Sequence, residues 1–139
     1  MTLITLVYVS VAQNRQMNND ELLRILKEAR ENNQKLNVTG MLLYRDGFFI
    51  QALEGEQDVV EDLYAHIAKD QRHKNIITVY QNEIKERLFT DWSMGFNRVE
   101  DKHLESIEGY NGLINEHFFA DKPGRAVSLL ESFRNRSYF

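Results

Sequence analysis

Residues 38–55 read VTGMLLYRDGFFIQALEG. Two apolar and aromatic runs flank Asp46-Gly47, a dipeptide suited to a two-residue hairpin because both turn positions require positive φ. Val38 to Arg45 therefore reads as one strand. Phe48 to Leu53 reads as its antiparallel return, broken at Gly55. Upstream, Leu22, Ile25, Leu26 and Ala29 recur at helical spacing. Asn18 stands as N-cap, with Glu21 three residues on and Met17 placed to staple to Leu22. This helix is expected to end near Asn32 or Asn33. Leu3 to Ser10 (LITLVYVS) reads as a buried strand before it.

Downstream of the hairpin, Val59, Val60, Leu63, Tyr64 and Ile67 give a second amphipathic helix. Asn75 to Ile84 and Trp92 to Phe96 read as two more strands. The order is β-α-β-β-α-β-β, an α+β fold. Its first six elements match the ferredoxin-like plan, an antiparallel sheet with both helices on one face, and the fifth strand is an addition. From Asp101 the pattern changes. Leu104, Ile107 and Leu113 suggest a short helix weakened by Gly109 and Gly112. Asp121 to Gly124, with the only proline, suggests a linker, and Ala126 to Arg134 a last helix with Val127, Leu130 and Phe133 on its apolar stripe. Residues 1–100 are expected to form the core domain and 101–139 a C-terminal helical extension that caps the sheet.

The chain has 139 residues, enough for one hydrophobic core but not for a large two-domain enzyme. With 17 Lys and Arg against 21 Asp and Glu, the net charge of −4 speaks against direct nucleic-acid binding. The absence of cysteine excludes disulfides, thiolate metal sites and a cysteine nucleophile. Neither a signal peptide nor an apolar run approaching a membrane span of roughly 20 residues is visible, which implies a soluble, cytoplasmic protein without membrane contact. Gly-rich phosphate loops and a GxSxG elbow are missing. His66, His73, His103 and His117 do not pair at zinc-ligand spacing, so no metal site is expected. The acidic residues Glu54, Glu56 and Asp58 read as the solvated start of the second helix, where carboxylates complement the helix dipole.

Polar side chains interrupt the core pattern. Tyr8 sits within the apolar first strand and Gln51 within the third. Side chains alternate across a strand, so Phe49, Gln51 and Leu53 share one face, as do Leu6, Tyr8 and Ser10. These strands are neighbours in the ferredoxin-like plan, which lets Tyr8 and Gln51 meet under the helices. The plainer alternative is a core tyrosine and an exposed glutamine. Asn32-Asn33 reads either as a helix end, since Asn tolerates the left-handed conformation, or as recognition of a heterocycle edge that sets an N–H beside a C=O. Trp92 and Met94 are expected on one face of the last strand, and His73 in a loop.

Together these pieces resemble the BLUF domain, a blue-light sensor that uses a flavin. The resemblance runs from Leu3 to Phe96 and rests on LVYVS around Tyr8, NNQKLNVTGMLLY from Asn32, DGFFIQALEGE around Gln51, KDQRHKNI around His73, and LFTDWSM ending at Met94. It implies FAD as cofactor, with FMN as the alternative. It also implies that Tyr8 donates an electron and a proton to the excited flavin through Gln51, leaving a red-shifted state. By the same resemblance Asn33 holds the pyrimidine-like edge of the ring, Asn32 approaches that edge, and Ile25 and Ile67 flank the ring. His73 packs nearby with Arg72, and Trp92 and Met94 carry the signal. Where some relatives have a serine, this chain has Ala29. The implied protein is a stand-alone sensor rather than an enzyme, acting on a downstream signalling protein in trans and self-associating as a homo-oligomer. The alternative function is a small ferredoxin-like monooxygenase, flavin-using or cofactor-free, with Tyr8, Gln51 and His73 lining its substrate pocket.

Overall fold

The computed structural model describes residues 2–14, 17–107, 110, 116–135 and 137. The elements run β1 (Leu3–Ala12), α1 (Asn19–Leu36), β2 (Thr39–Arg45), β3 (Phe48–Glu56), α2 (Gln57–Ala68), β4 (His73–Glu83), β5 (Gly95–Arg98), α3 (Asp101–Leu104), α4 (Glu116–Ala120) and α5 (Gly124–Ser132). The strands form one sheet in the order β4-β1-β3-β2-β5. Pairings among β1 to β4 are antiparallel, as in the ferredoxin-like plan, and β5 joins β2 in parallel. The Asp46-Gly47 turn takes positive φ at both positions, 46° and 85°, and closes Arg45 onto Phe48.

Strand alternation divides the core in two. Leu6, Tyr8, Leu42, Phe49 and Leu53 point to the face covered by Leu22 and Leu26 of α1 and by Val60 and Leu63 of α2. Val7, Val9, Met41, Leu43, Ile50 and Ala52 point to the far face, where they meet Leu104, Phe119, Ala126, Leu129, Leu130 and Phe133 of α3 to α5. Phe119 stacks on Phe48, with ring centroids 5.8 Å apart. The turn from Asp121 to Gly124 links two helices on this face, and α5 starts at Gly124. Of its expected stripe, Leu130 and Phe133 are buried but Val127 only half so, and Leu129 completes the contact. Leu113, Gly109 and Gly112, which entered the reading of this segment, lie outside the described residues.

Several boundaries differ from expectation, each for a local reason. Asn18 caps α1, accepting from Glu21 N–H at 2.9 Å, but the helix runs on through Leu36. Its stop is Asn37 at φ 55°, so Asn32 and Asn33 lie within the helix rather than closing it. β3 continues through Gly55, because Ile4 and Leu3 of β1 pair with Gly55 and Glu56. A Cβ at Gly55 would lie 3.2 Å from Val60 and 3.3 Å from Val38, so glycine there allows α2 to pack closely. His73 is not a loop residue but opens β4, paired with Ala12.

Glu54 is also not part of a solvated helix start. It is buried on β3, where its carboxylate accepts from Leu88 N–H at 2.7 Å, Phe89 N–H at 3.0 Å and Thr39 Oγ1 at 2.9 Å. These three donors replace lost hydration and pin the segment that leads from β4 to β5. Arg87 adds to the clamp, donating to Asn37 O at 2.8 Å and Glu54 O at 3.1 Å.

Candidate functional site: a cavity between two helices and the sheet

A cavity of about 150 Å³ opens between α1, α2 and the helix-covered face of the sheet. Tyr8, Ile25, Asn32, Asn33, Gln51, Ile67, Arg72 and His73 all line it, so the structure brings these eight expected residues together. Ile25 of α1 and Ile67 of α2 supply aliphatic walls. Ser10, Glu28, Phe49, Leu63, His66 and Asp70 also line it and were missed as site residues. Helical spacing could have found Glu28, one turn before Asn32, and Leu63, four residues before Ile67. Ser10 and Asp70 carry no such signal: Ser10 meets His73 from far along the chain, and Asp70 pairs with Arg72 in the turn after α2.

Tyr8 and Gln51 lie directly opposite each other in the β1–β3 ladder, and the Tyr8 hydroxyl donates to Gln51 Oε1. The plainer reading of an exposed glutamine fails, since Gln51 is 5% exposed on the middle strand. Burial pushes the Tyr8 pKa up, and Tyr64, with its ring centroid 5.3 Å away, and Asp70 add to the rise. The phenol therefore stays protonated. The Gln51 amide donates in turn to Met94 Sδ at 3.4 Å. A thioether is a weak acceptor and an NH₂ group has two donors, so Gln51 retains donor capacity at the cavity wall.

The segment just before β5 explains the other departure. Trp92 O accepts from Gly40 N–H at 3.0 Å, Ser93 O from Asn33 Nδ2 at 2.7 Å, and Met94 O from Arg30 Nε at 2.9 Å. Three successive carbonyls are thus held from β2 and α1, and β5 starts only at Gly95. Strand alternation does not govern residues 92–94, so Trp92 and Met94 do not share a face. Met94 is buried on the helix-covered side. It fits over Gly40, where a Cβ would lie 3.2 Å from its methyl carbon. Trp92 packs on the far side and donates from Nε1 to Arg134 O at 3.1 Å.

His73 is held at both ring nitrogens. Nε2 lies 2.7 Å from Ile67 O and Nδ1 lies 2.9 Å from Ser10 Oγ. A carbonyl only accepts, so Nε2 carries a proton toward Ile67 O, and Ser10 Oγ is the partner of Nδ1. His73 is therefore a fixed wall, edge-on to Tyr8 with centroids 6.3 Å apart. At the mouth, Arg72 Nη2 reaches Asp70 at 2.5 Å and Glu28 at 2.8 Å, joining α1 to the turn after α2. The Arg72 hydrogen bonds hold the Asp70 carboxyl below its usual range, and Asp70 and Glu28 in turn hold the guanidinium more firmly protonated. Among the described residues no group of His, Cys, Asp or Glu is placed to bind a metal, and no helix is long and apolar enough to cross a membrane.

A family model described as sensors of blue-light using FAD, BLUF, matches residues 3–95. The chain belongs to the BLUF family. The photoactivated adenylate cyclase subunit beta of Euglena longa is 40% identical over 94 residues, 67% of this chain but only 11% of the cyclase subunit. The photo-activated state of BlsA superposes with a TM-score of 0.79 at 31% identity, covering 97% of this chain and 96% of BlsA. BlrB, a BLUF protein in its dark state, superposes with a TM-score of 0.73 at 25% identity, covering 94% of this chain and 93% of BlrB. BLUF domains are flavin-based blue-light sensors, and the α+β sheet with its packed helices is the fold of this family.

The cavity fits a flavin. Two aliphatic walls suit the faces of a planar ring, the amide groups of Asn32 and Asn33 suit an edge of alternating N–H and C=O, and Gln51 offers an unused donor.

Proposed function

We propose that this chain senses blue light with FAD held in the cavity, that Tyr8 and Gln51 carry the photochemistry, and that the change leaves through the segment bearing Met94. The observation that carries the reading is the buried relay from Tyr8 Oη to Gln51 Oε1 and from Gln51 Nε2 to Met94 Sδ. Asn32 and Asn33 would hold the polar ring edge, Ile25 and Ile67 its faces, and His73 and Arg72 the mouth side.

When bound, the flavin supplies blue absorption and an excited state that accepts an electron. Tyr8 is the donor within the cavity wall. Its burial disfavours charge, so electron and proton leave it together, and Gln51 Oε1 is the proton's acceptor. When both return, Gln51 is left rotated or in its other tautomer. A half-turn of the amide sets Oε1 against Met94 Sδ, two acceptors face to face. An unpaired buried polar group costs about 1–3 kcal/mol, enough to bias a packed segment between two arrangements. Residues 92–94 are that segment. Trp92 contributes from the far face, where its bond to Arg134 O joins the segment to the end of α5.

We read the chain as a sensor that consumes no substrate. Its output is a separate signalling protein met in the cytoplasm, with self-association of the sensor. The Euglena relative, whose matched region lies within a protein named for a cyclase, supports the coupling of such a domain to an effector. The test is an absorption spectrum of the purified protein, in the dark and after blue illumination. A flavin spectrum that shifts slightly to the red and relaxes is expected. Bleaching without a shift favours the flavin-using monooxygenase alternative, and a protein that cannot be loaded with flavin ends both of these readings and leaves only the cofactor-free monooxygenase.

A further inference from the structure

We propose that Arg30 of α1 is a positioning residue of the light response, holding the Met94 backbone so that the thioether meets the Gln51 amide. This deepens the photoreceptor reading and rests on it. Arg30 Nε donates to Met94 O at 2.9 Å, while Gln51 Nε2 donates to Met94 Sδ at 3.4 Å. Met94 is thus gripped at both ends, its backbone from a helix and its side chain from the sheet. The grip is selective. Of the three carbonyls held in this segment, Trp92 O takes a backbone N–H and Ser93 O a neutral amide, and only Met94 O takes a cationic donor. Charge-assisted bonds are roughly twice as strong as neutral ones. Arg30 is half-buried, and burial holds its pKa below the ordinary value, consistent with a cation partly withdrawn from water.

The sulfur is mobile in principle, since methionine has three flexible torsions and few rotameric constraints. What limits it is the anchoring of its own backbone at Met94 O, with the methyl carbon seated over Gly40, where no side chain intervenes. Arg30 supplies that anchor from outside the sheet. The dark arrangement, with the amide donating to the sulfur, therefore depends on Arg30, and its loss slows the return to that arrangement.

The test compares the full chain with Arg30→Leu, which keeps an apolar stem and loses the donor, and with Arg30→Lys, which keeps the charge. Loaded with flavin, Arg30→Leu is expected to retain the red shift but to recover in the dark about three- to tenfold more slowly, the loss expected of one hydrogen bond. Arg30→Lys should fall between it and the parent chain. In a Met94→Leu background the Arg30→Leu effect should vanish, because the thioether through which it acts is gone. A second readout needs no flavin. With ¹³C-methyl methionine, Arg30→Leu should move the Met94 resonance in the flavin-free protein and leave that of Met41, on the other face, in place. Unchanged or faster recovery, an equal effect with and without Met94, or a stationary Met94 resonance would overturn the proposal. A parent chain that binds flavin and never shifts removes the photoreceptor reading itself, whereas the methyl resonance still reports the Arg30–Met94 contact.

Discussion

Each face of the sheet carries a buried methionine whose sulfur accepts from a side-chain amide: Met94 from Gln51 at 3.4 Å on the helix-covered face, Met41 from Asn97 at 3.3 Å on the far face. Their surroundings differ. Gln51 borders a cavity and also receives the Tyr8 hydroxyl. Asn97 and Met41 sit where α3 to α5 close the far face with Leu104, Phe119, Leu129 and Phe133. One amide has space beside it, and the other is enclosed by close packing. Under the proposed function, the same contact serves as a switch where there is room beside it and as a rivet where there is none.

The sharpest way to break this comparison is to remove the phenol or the amide itself. Tyr8→Phe should bind flavin yet lose the photocycle, and Gln51→Leu should lose the red shift, both read by light-minus-dark absorption. A normal, reversible shift in Tyr8→Phe would show that the cavity-side amide switches without its phenol. Next in size is the far face. Phe133→Ala should cost about 3–5 kcal/mol of unfolding free energy in urea melts while leaving the red shift in place. Asn97→Leu should change stability by about 1 kcal/mol in either direction, because the acceptor it leaves behind, Met41 Sδ, is a weak one, and should leave dark recovery untouched. A changed recovery would make the far-face pair part of the switch.

Smaller effects belong to the titrating groups of the cavity. The pKa of Asp70 is depressed in the folded protein, so its contribution is complete above the ordinary value of 3.8 and is lost as the pH falls below it. Flavin release should therefore quicken only in that acid range. Glu28→Gln at neutral pH should alter stability by less than about 1 kcal/mol, because the pair is half exposed. Tyr8 has the opposite sign. Its pKa is raised, so its contribution is complete below the ordinary phenol value of 10.0 and declines as the pH climbs above it. Tyr8→Phe should remove part of that alkaline loss.

Strand and helix periods made part of the site legible, since alternation puts Tyr8 and Gln51 on faces that can meet and helical spacing puts Ile25 and Ile67 on apolar helix faces. As site residues, Ile25, Asn32, Asn33, Ile67, Arg72 and His73 were reached through the family resemblance. Trp92 and Met94 were misread because alternation was extended into a segment whose carbonyls bond to side chains and to Gly40 rather than to a ladder. Glu54 was misread because an acidic residue near a helix start ordinarily meets water, and only the fold brings Leu88 and Phe89 to it. The left-handed stop at Asn37 could not be told from one at Asn33, since asparagine suits both.

By itself the sequence determined the α+β order, the hairpin at Asp46-Gly47 and the cap at Asn18, because each depends on residues close in the chain or on a fixed period, whereas the β1–β3 register decided that Tyr8 meets Gln51. Tertiary structure alone decided that Met94 turns into the helix-covered face and Trp92 away from it. It also decided that Arg30, Asn33 and Gly40 hold the segment between them, and that Arg72 bridges Glu28 and Asp70 across the mouth. The physical reason is that these are single contacts between distant residues, chosen by how buried polar groups find partners once the sheet has closed.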